Sequence, residues 1–486
     1  MAIRLLKASD TASTAEPLDR KILYHLSLDR SFSYICPSKA MRELFLSVLT
    51  SFTDNIEEIE YRQNIIGDFL QHPELLDGLI SLFVRFEDLK KEQKKTKKDS
   101  FTINAAGLSS VTSARNILQT RALTLKRALL FVKGFGELLS ECDLQSVGLI
   151  QFRDACSEIY QNPEYQKLLT HCSRYENFST TGFLDFKFML NEEGRIADFG
   201  FINHRYIHIT DPELKKKGFS FFKKEEESPY PCERVYPSAN GFYEKLIVSA
   251  LSDISGLFAG ITAQIFDRFA PVYEDLLFYD VALRYVKKLQ EIGVPYCFPK
   301  LNRDENTTVS KLYDLYLLMT ADNTADVIPN DYAICGKGGM ILFGNNGSGK
   351  TVYLRSVGTM QLLAQSGLPI PCESAEITVC SQIATQFSEA EKEFCEGNEA
   401  GRFEQEVREL AAMADGLKSG ALVFLNETFQ STAYAEGAEG LYHLLQYFTD
   451  SGIRWILVSH LQKLEEMFSE EDVEIRYTTE GYRIGV

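Results

Sequence analysis

The sequence predicts a multidomain chain, a mostly α-helical part followed by an α/β domain with a largely parallel sheet. Three observations carry this reading. Apolar residues recur at spacings of three and four through most of the chain up to Tyr175, and again from Phe242 to Leu289. Beyond Gly293-Val294-Pro295, β-rich segments alternate with helical ones, the pattern of parallel strands joined by crossovers. A glycine-rich octapeptide, Gly344–Thr351, lies between an apolar strand and a helix-like segment.

In chain order, Ile56 to Phe86 reads as a helix broken at His72-Pro73, because proline cannot continue the hydrogen-bond ladder. Lys90 to Lys98 (KKEQKKTKK) holds no apolar residue and is expected to be a solvated loop or helix end, with a phosphate contact as the alternative. Asn116 to Leu139 and Leu149 to Tyr175 show helical periodicity. Phe186 to Arg195 reads as a strand ending in a turn, and Phe199 to Ile209 as further strands. Lys215 to Glu227 (KKKGFSFFKKEEE) is a charge-block surface excursion, and Phe242 to Leu289 forms one or two long amphipathic helices. The expected division is an N-terminal segment 1–40, a helical domain 41–182, a β-containing insertion 183–240, return helices 241–291 and an α/β domain 292–486.

Composition narrows the function classes. With 45% apolar and 24% charged residues, the chain has a globular profile. Its net charge of −17 over 486 residues argues against a basic nucleic-acid coat, since phosphate affinity comes from clustered Lys and Arg. No uninterrupted apolar run reaches the roughly 18 residues of a membrane helix, and the N-terminus shows no signal-peptide core. No membrane partner is therefore expected. The 10 cysteines form no CxxC pair and follow no zinc or disulfide spacing, so free thiols and a cytoplasmic location are expected.

Gly344-Asn345-Asn346-Gly347-Ser348-Gly349-Lys350-Thr351 matches GxxxxGK[ST] in full. The strand Met340 to Phe343 precedes it and the helix-like Val352 to Ala364 follows, the context a phosphate loop needs. Its glycines let backbone N–H groups turn toward phosphate oxygens, and the helix start adds positive dipole there. Lys350 is expected to serve the β- and γ-phosphates of ATP, and Thr351 to ligate Mg²⁺. A second apolar strand, Ala421 to Leu425, ends at Asn426-Glu427. That tip normally carries an acid that holds magnesium, but here the position is Asn426, which offers an amide oxygen without charge. Glu427 is the candidate general base and a further Mg²⁺ contact. A third strand, Trp455 to Ser459, ends at His460, a candidate γ-phosphate contact. This order resembles the layout of ABC-type ATPases, which bind ATP between two head domains, so the resemblance implies dimerisation.

Several segments together resemble the MutS family of DNA mismatch-repair ATPases. They are Val327–Asp331 (VIPND), Asn345–Arg355 (NNGSGKTVYLR), Asn426–Gly437 (NETFQSTAYAEG) and Val458–Leu464 (VSHLQKL). In the N-terminal half, Tyr61–Ile66 followed by His72–Leu76 looks like the start of the family's helical lever domain, and Phe278 to Phe298 like its return. The resemblance implies that Gly344, Asn345, Asn346, Gly347, Ser348, Gly349, Lys350 and Thr351 hold ATP and Mg²⁺, with Val327 and Ile328 near the adenine. It further implies Glu427 as the water-activating base, His460 as γ-phosphate sensor, Ser431 and Thr432 in a loop meeting the opposing subunit, and 183–240 as a reduced DNA clamp.

The departures matter as well. Mismatch-reading members carry two N-terminal domains, one with a Phe-x-Glu wedge, and this chain is expected to lack them. Phe242-Tyr243-Glu244 matches that wedge by spelling but opens a long helix, so the match is read as coincidence. The family's in-trans serine has no counterpart near Gly401-Arg402, which with Asn426 points to slow hydrolysis. Two functions are carried forward: a homodimeric MutS-like ATPase that couples nucleotide state to lever movement and DNA binding in repair or recombination, and a nucleotide-gated protein-interaction module of the same fold that does not bind DNA. Charge bears on the choice. Residues 329–486 hold 11 Lys and Arg against 23 Asp and Glu, net −12, which leaves −5 for the other 328.

Overall fold

The computed structural model describes residues 2–7, 17–105, 111–176, 182–190, 196–206, 241–387, 399–429, 434–469 and 471–485. The Lys215–Glu227 run, Ser431 and Thr432 lie outside them. The chain forms two compact units: one of residues 1–80, 138–153 and 271–486, the other of 81–137 and 154–270.

The helical part opens with α1 (Lys21–His25), α2 (Leu28–Ser33), α3 (Lys39–Thr50), α4 (Ile56–Gln71) and α5 (Pro73–Ala105). His72 ends α4, and Pro73 starts α5, where its missing N–H costs nothing. The lysine run falls well inside α5, whose helix continues to Ala105, so the loop reading is corrected. Lys and Glu are good helix formers, and an apolar-free stretch needs no core to stay helical inside a long helix. Next come α6 (Val111–Ser140), α7 (Val147–Tyr160) and α8 (Pro163–Glu176), the last two divided at Pro163. Strands β1 (Gly182–Leu190) and β2 (Ile196–Tyr206) form an antiparallel pair. Helix α9 (Gly241–Glu291) is a single helix of 51 residues with Pro271 inside it.

Within the second unit the core is aromatic. Phe83 stacks on Phe135 at 4.2 Å, and Phe86 meets Phe266 edge-on at 4.9 Å. Within the first unit, Asp275 of α9 is fully buried and accepts from Arg4 Nη2 at 2.7 Å, Arg4 Nε at 3.0 Å and the Leu5 N–H at 2.7 Å. Tyr279 Oη donates to the Leu5 carbonyl at 2.6 Å, and Arg62 Nε to that of Leu6 at 2.8 Å. Arg62 also pairs with Glu58, both buried. Residues 248–291 are long and apolar enough by composition to cross a membrane. Charges such as Asp253, Asp267 and Arg268 interrupt the stretch, so a search for uninterrupted runs passes over it. Leu276, Tyr279 and Tyr285 on this helix are fully buried in the fold.

The α/β part holds two sheets. A four-stranded sheet has the order β3 (Lys300–Asn302), β7 (Ser374–Thr378), β4 (Asn306–Leu312), β5 (Asn330–Cys335). A six-stranded sheet has the order β12 (Arg483–Gly485), β11 (Val473–Thr479), β6 (Gly339–Phe343), β10 (Arg454–Val458), β9 (Leu422–Asn426), β8 (Ile383–Phe387). All its neighbours are parallel except β11 and β12. Strands β6 and β9 are buried throughout, as expected for parallel strands covered on both faces. The helices of this part are α10 (Leu315–Thr320), α11 (Lys350–Gln365), α12 (Glu399–Gly416), α13 (Tyr434–Asp450) and α14 (Lys463–Met467). The core on one side of the sheet gathers Leu425, Trp455, Leu457, Leu441, Leu445 and Phe448.

Candidate functional site at the carboxyl ends of the parallel strands

In open α/β sheets, ligands bind beyond the carboxyl ends of the strands. Here β6 leaves the sheet between β10 and β11, and Gly344–Gly349 turns directly into α11. Gly347 (φ 76°) and Gly349 (φ 95°) occupy left-handed backbone that glycine alone adopts without cost, and Gly349 is the cap of α11. A Cβ on Gly344 would overlap Thr478 Oγ1, so this position requires glycine for space. Asn345, Asn346 and Gly347 are exposed at the crest, while Ser348 accepts from Thr478 Oγ1 at 2.8 Å.

Lys350 Nζ lies inside this loop and donates to the carbonyls of Gly344 at 2.7 Å and Asn345 at 2.9 Å. The side chain is buried, which lowers its pKa, and the Glu427 carboxylate partly opposes that shift. Thr351 Oγ1 donates to Asn426 Oδ1 at 3.0 Å, joining the first turn of α11 to the end of β9. Asn426 is the last residue of β9, paired in register with Val458 of β10 and Phe387 of β8. Glu427 follows in the left-handed region (φ 55°), with its N–H bonded to the Val458 carbonyl at 2.9 Å. The structure thus brings Lys350, Thr351, Asn426 and Glu427 to one place. His460 lies two residues beyond the Val458↔Leu342 and Val458↔Asn426 pairs, with an exposed side chain.

Val327 is buried and Ile328 half-buried, just before β5. Their segment is tied to the helix after the loop, where Tyr353 Oη donates to the Asp331 carbonyl at 3.0 Å. Asn330 also holds the C-terminal hairpin, donating to the Tyr482 carbonyl at 3.0 Å and accepting the Ile484 N–H at 2.9 Å. Gly401 and Arg402 fall in α12.

Sequence reasoning missed a second layer. Gln386, next to last in β8, accepts from Thr428 Oγ1 at 2.7 Å and donates to Glu406 at 3.2 Å. Glu406 of α12 also accepts the Phe429 N–H at 3.0 Å. Together these bonds fix residues 427–429 immediately behind the carboxylate. The available signal was a short strand, IATQF, with an amide next to its end, inside the stretch between the two motifs. On the other flank, Arg355 of α11 makes a bidentate pair with Asp314 at 2.7 and 2.9 Å.

The donor set suits a magnesium nucleotide: a hydroxyl and an amide oxygen meet at 3.0 Å, beside a buried ammonium that donates to two loop carbonyls.

Comparison with known proteins agrees with the geometry. Residues 340–479 match the family model "MutS domain V". The chain is 27% identical over 271 residues to a DNA mismatch repair protein MutS of Chlorobium phaeovibrioides, covering 54% of this chain and 30% of that protein. It is 26% identical over 257 residues to the DNA mismatch repair protein MSH2 of Zea mays, covering 52% and 24%. Against a MutS of Thermosynechococcus vestitus it is 31% identical over 174 residues, covering 35% and 20%. These matches span less than a third of the relatives' own length. The matched region is centred on the strands and loop described above, and there the chain is similar to MutS-family proteins.

Proposed function

We propose that this chain is an ABC-type ATPase of the mismatch-repair class, and that its nucleotide state is coupled to movement of the helical levers and to DNA binding. One observation carries the reading. The Thr351–Asn426 hydrogen bond closes the glycine-rich loop onto the tip of β9, with Lys350 and Glu427 on either side.

In this reading, the backbone N–H groups of the loop and the Lys350 ammonium bind the phosphates of ATP. To do so, Lys350 exchanges the Gly344 and Asn345 carbonyls for phosphate oxygens. Thr351 Oγ1 and Asn426 Oδ1 would hold Mg²⁺, which supplies positive charge against the β- and γ-phosphates. Glu427 orients a water and takes its proton. His460 contacts the γ-phosphate, and Val327 and Ile328 border the adenine. Asn426 contributes no negative charge, so hydrolysis is slow. ATP sites are completed in a homodimer through the ATPase domains, and the protein works in the cytoplasm. The names of the relatives support a role on DNA.

A second reading, a nucleotide-gated protein-interaction module, draws on the net −12 of residues 329–486. One experiment separates the two: binding to duplex, branched and single-stranded DNA at low salt, with and without ATP and Mg²⁺. Nucleotide-dependent DNA binding supports the first reading. ATP binding without any DNA binding supports the second, and absence of ATP binding overturns both.

A further inference from the structure

Away from the proposed nucleotide site, two thiols lie against each other. After α9 the chain turns at Gly293, and Cys297 pairs with Ile370 in an antiparallel bridge, N–H to carbonyl at 3.1 Å one way and 2.9 Å the other. Two residues past Ile370 comes Cys372, whose Sγ lies 3.2 Å from Cys297 Sγ. The backbone bridge holds these two segments at strand spacing, so the sulfurs stay adjacent without help from a covalent bond. Tyr285 of α9 lies within electrostatic reach of both sulfurs. Its hydroxyl is fully buried with no hydrogen-bond partner among the described residues, and its pKa is raised first by burial and then by the two sulfurs.

The two thiols are not equivalent. Cys372 is fully buried, while Cys297 is half-buried. Either sulfur can donate the hydrogen bond between them; the contact with Cys372 lowers the Cys297 pKa against the opposing effect of burial, and the Ala375 N–H adds to the lowering. Cys372 is shifted up, by the contact with Cys297 and by burial. The more accessible sulfur is thus the one an oxidant reaches first, with a buried thiol in contact beside it, the arrangement of an attacking and a resolving cysteine. Other described thiols differ. Burial pushes Cys36 up to about 11 and Cys380 up to about 12.

We propose that Cys297 and Cys372 form a redox modification site, in which a hydroperoxide converts the pair to a disulfide. The Cys297 thiolate attacks one peroxide oxygen and the O–O bond breaks. That oxygen stays on sulfur as a sulfenic acid, and the other leaves as water after taking up a proton. The Cys372 sulfur then attacks the sulfenic sulfur, and its hydroxyl departs as a second water with the Cys372 proton. Two thiols lose two electrons in all, and one hydrogen peroxide becomes two waters. A disulfide needs sulfurs at about 2.05 Å, a closure within reach of side-chain rotation from this contact. The product would tie the end of α9 to the segment that leaves α11.

The test is a hydrogen peroxide titration of the reduced full chain, with non-reducing peptide mass spectrometry and dimedone trapping. The expected result is a Cys297–Cys372 linked peptide, reversed by dithiothreitol, forming about tenfold faster than any product at the exposed Cys335. Cys372→Ser should leave a dimedone adduct at Cys297, and Cys297→Ser should abolish the linkage. The wild-type titration stands even where a variant fails to fold. Oxidation of Cys335 with both Cys297 and Cys372 still free, or dimedone capture at Cys372 in the wild-type chain, would overturn the proposal.

Discussion

Lys350 gives up bulk water for two loop carbonyls, and its charge is the most consequential at the site. Charge-assisted hydrogen bonds are worth about 1.5–3 kcal/mol each. Lys350→Ala is therefore expected to weaken ATP binding by at least ~10-fold for one such bond and ~100-fold for the stronger case. Calorimetry checks this, and unchanged affinity would remove Lys350 from the phosphate site. Asn426 sets a different expectation. It already accepts from Thr351, so Asn426→Asp keeps that bond and adds a negative charge. Turnover should rise, read as released phosphate, with the ATP affinity changed less than kcat. No change in turnover would place the limiting step elsewhere. The loop and the Asn-Glu tip were legible in the sequence because their chemistry is written in consecutive residues. Gln386 and Glu406 were not, because sheet order and helix packing bring them to Thr428 and Phe429 from 42 and 23 positions away.

At the scale of elements, β6 depends on a close approach. Gly339 pairs in register with Trp455 of β10, and a Cβ there would overlap the indole. Gly339→Ala should cost about 1–3 kcal/mol, as overpacking does. Trp455 is the sole tryptophan, so its fluorescence in a urea titration reads the loss directly. An unchanged midpoint would show that the two strands separate without penalty. Helix α11 is held at its first turns by Arg355, whose partner Asp314 is also the cap of α10. Removing Arg355 leaves a buried carboxylate unpaired, so Arg355→Ala should cost about 3–5 kcal/mol. A loss below 1 kcal/mol would mean that water enters and solvates Asp314. Elements were easiest to read where proline or strict periodicity marked them, as at His72-Pro73. The lysine run misled because the absence of apolar residues was taken to mark a loop or a helix end, whereas the helix runs on through it to Ala105. The unity of α9 was also hidden, since Pro271 is an ordinary stop signal that here lies inside a continuing helix.

For the whole molecule, charge is the property that sequence gives without structure. The acid excess falls mainly on residues 329–486, the part that carries the nucleotide site. On the proposed reading, DNA contact falls to the helical part and should be strongly salt-dependent. Even ~3 phosphate contacts would cost about 40-fold in affinity between 50 and 200 mM salt. Binding that ignores salt would argue against a phosphate-led interface. How the chain divides into two units was not readable, because one unit is assembled from three separate stretches of sequence.

Glu427 (φ 55°) stands in a backbone region that favours glycine. Glu427→Gly should therefore leave the fold as stable or more stable, by up to ~1 kcal/mol, while removing the carboxylate. Thermal denaturation together with phosphate release would show whether the two move apart. A lineage selected only for heat resistance would have an easy route to glycine here. Glutamate at a glycine's place is the kind of compromise that persists when something other than folding is under selection.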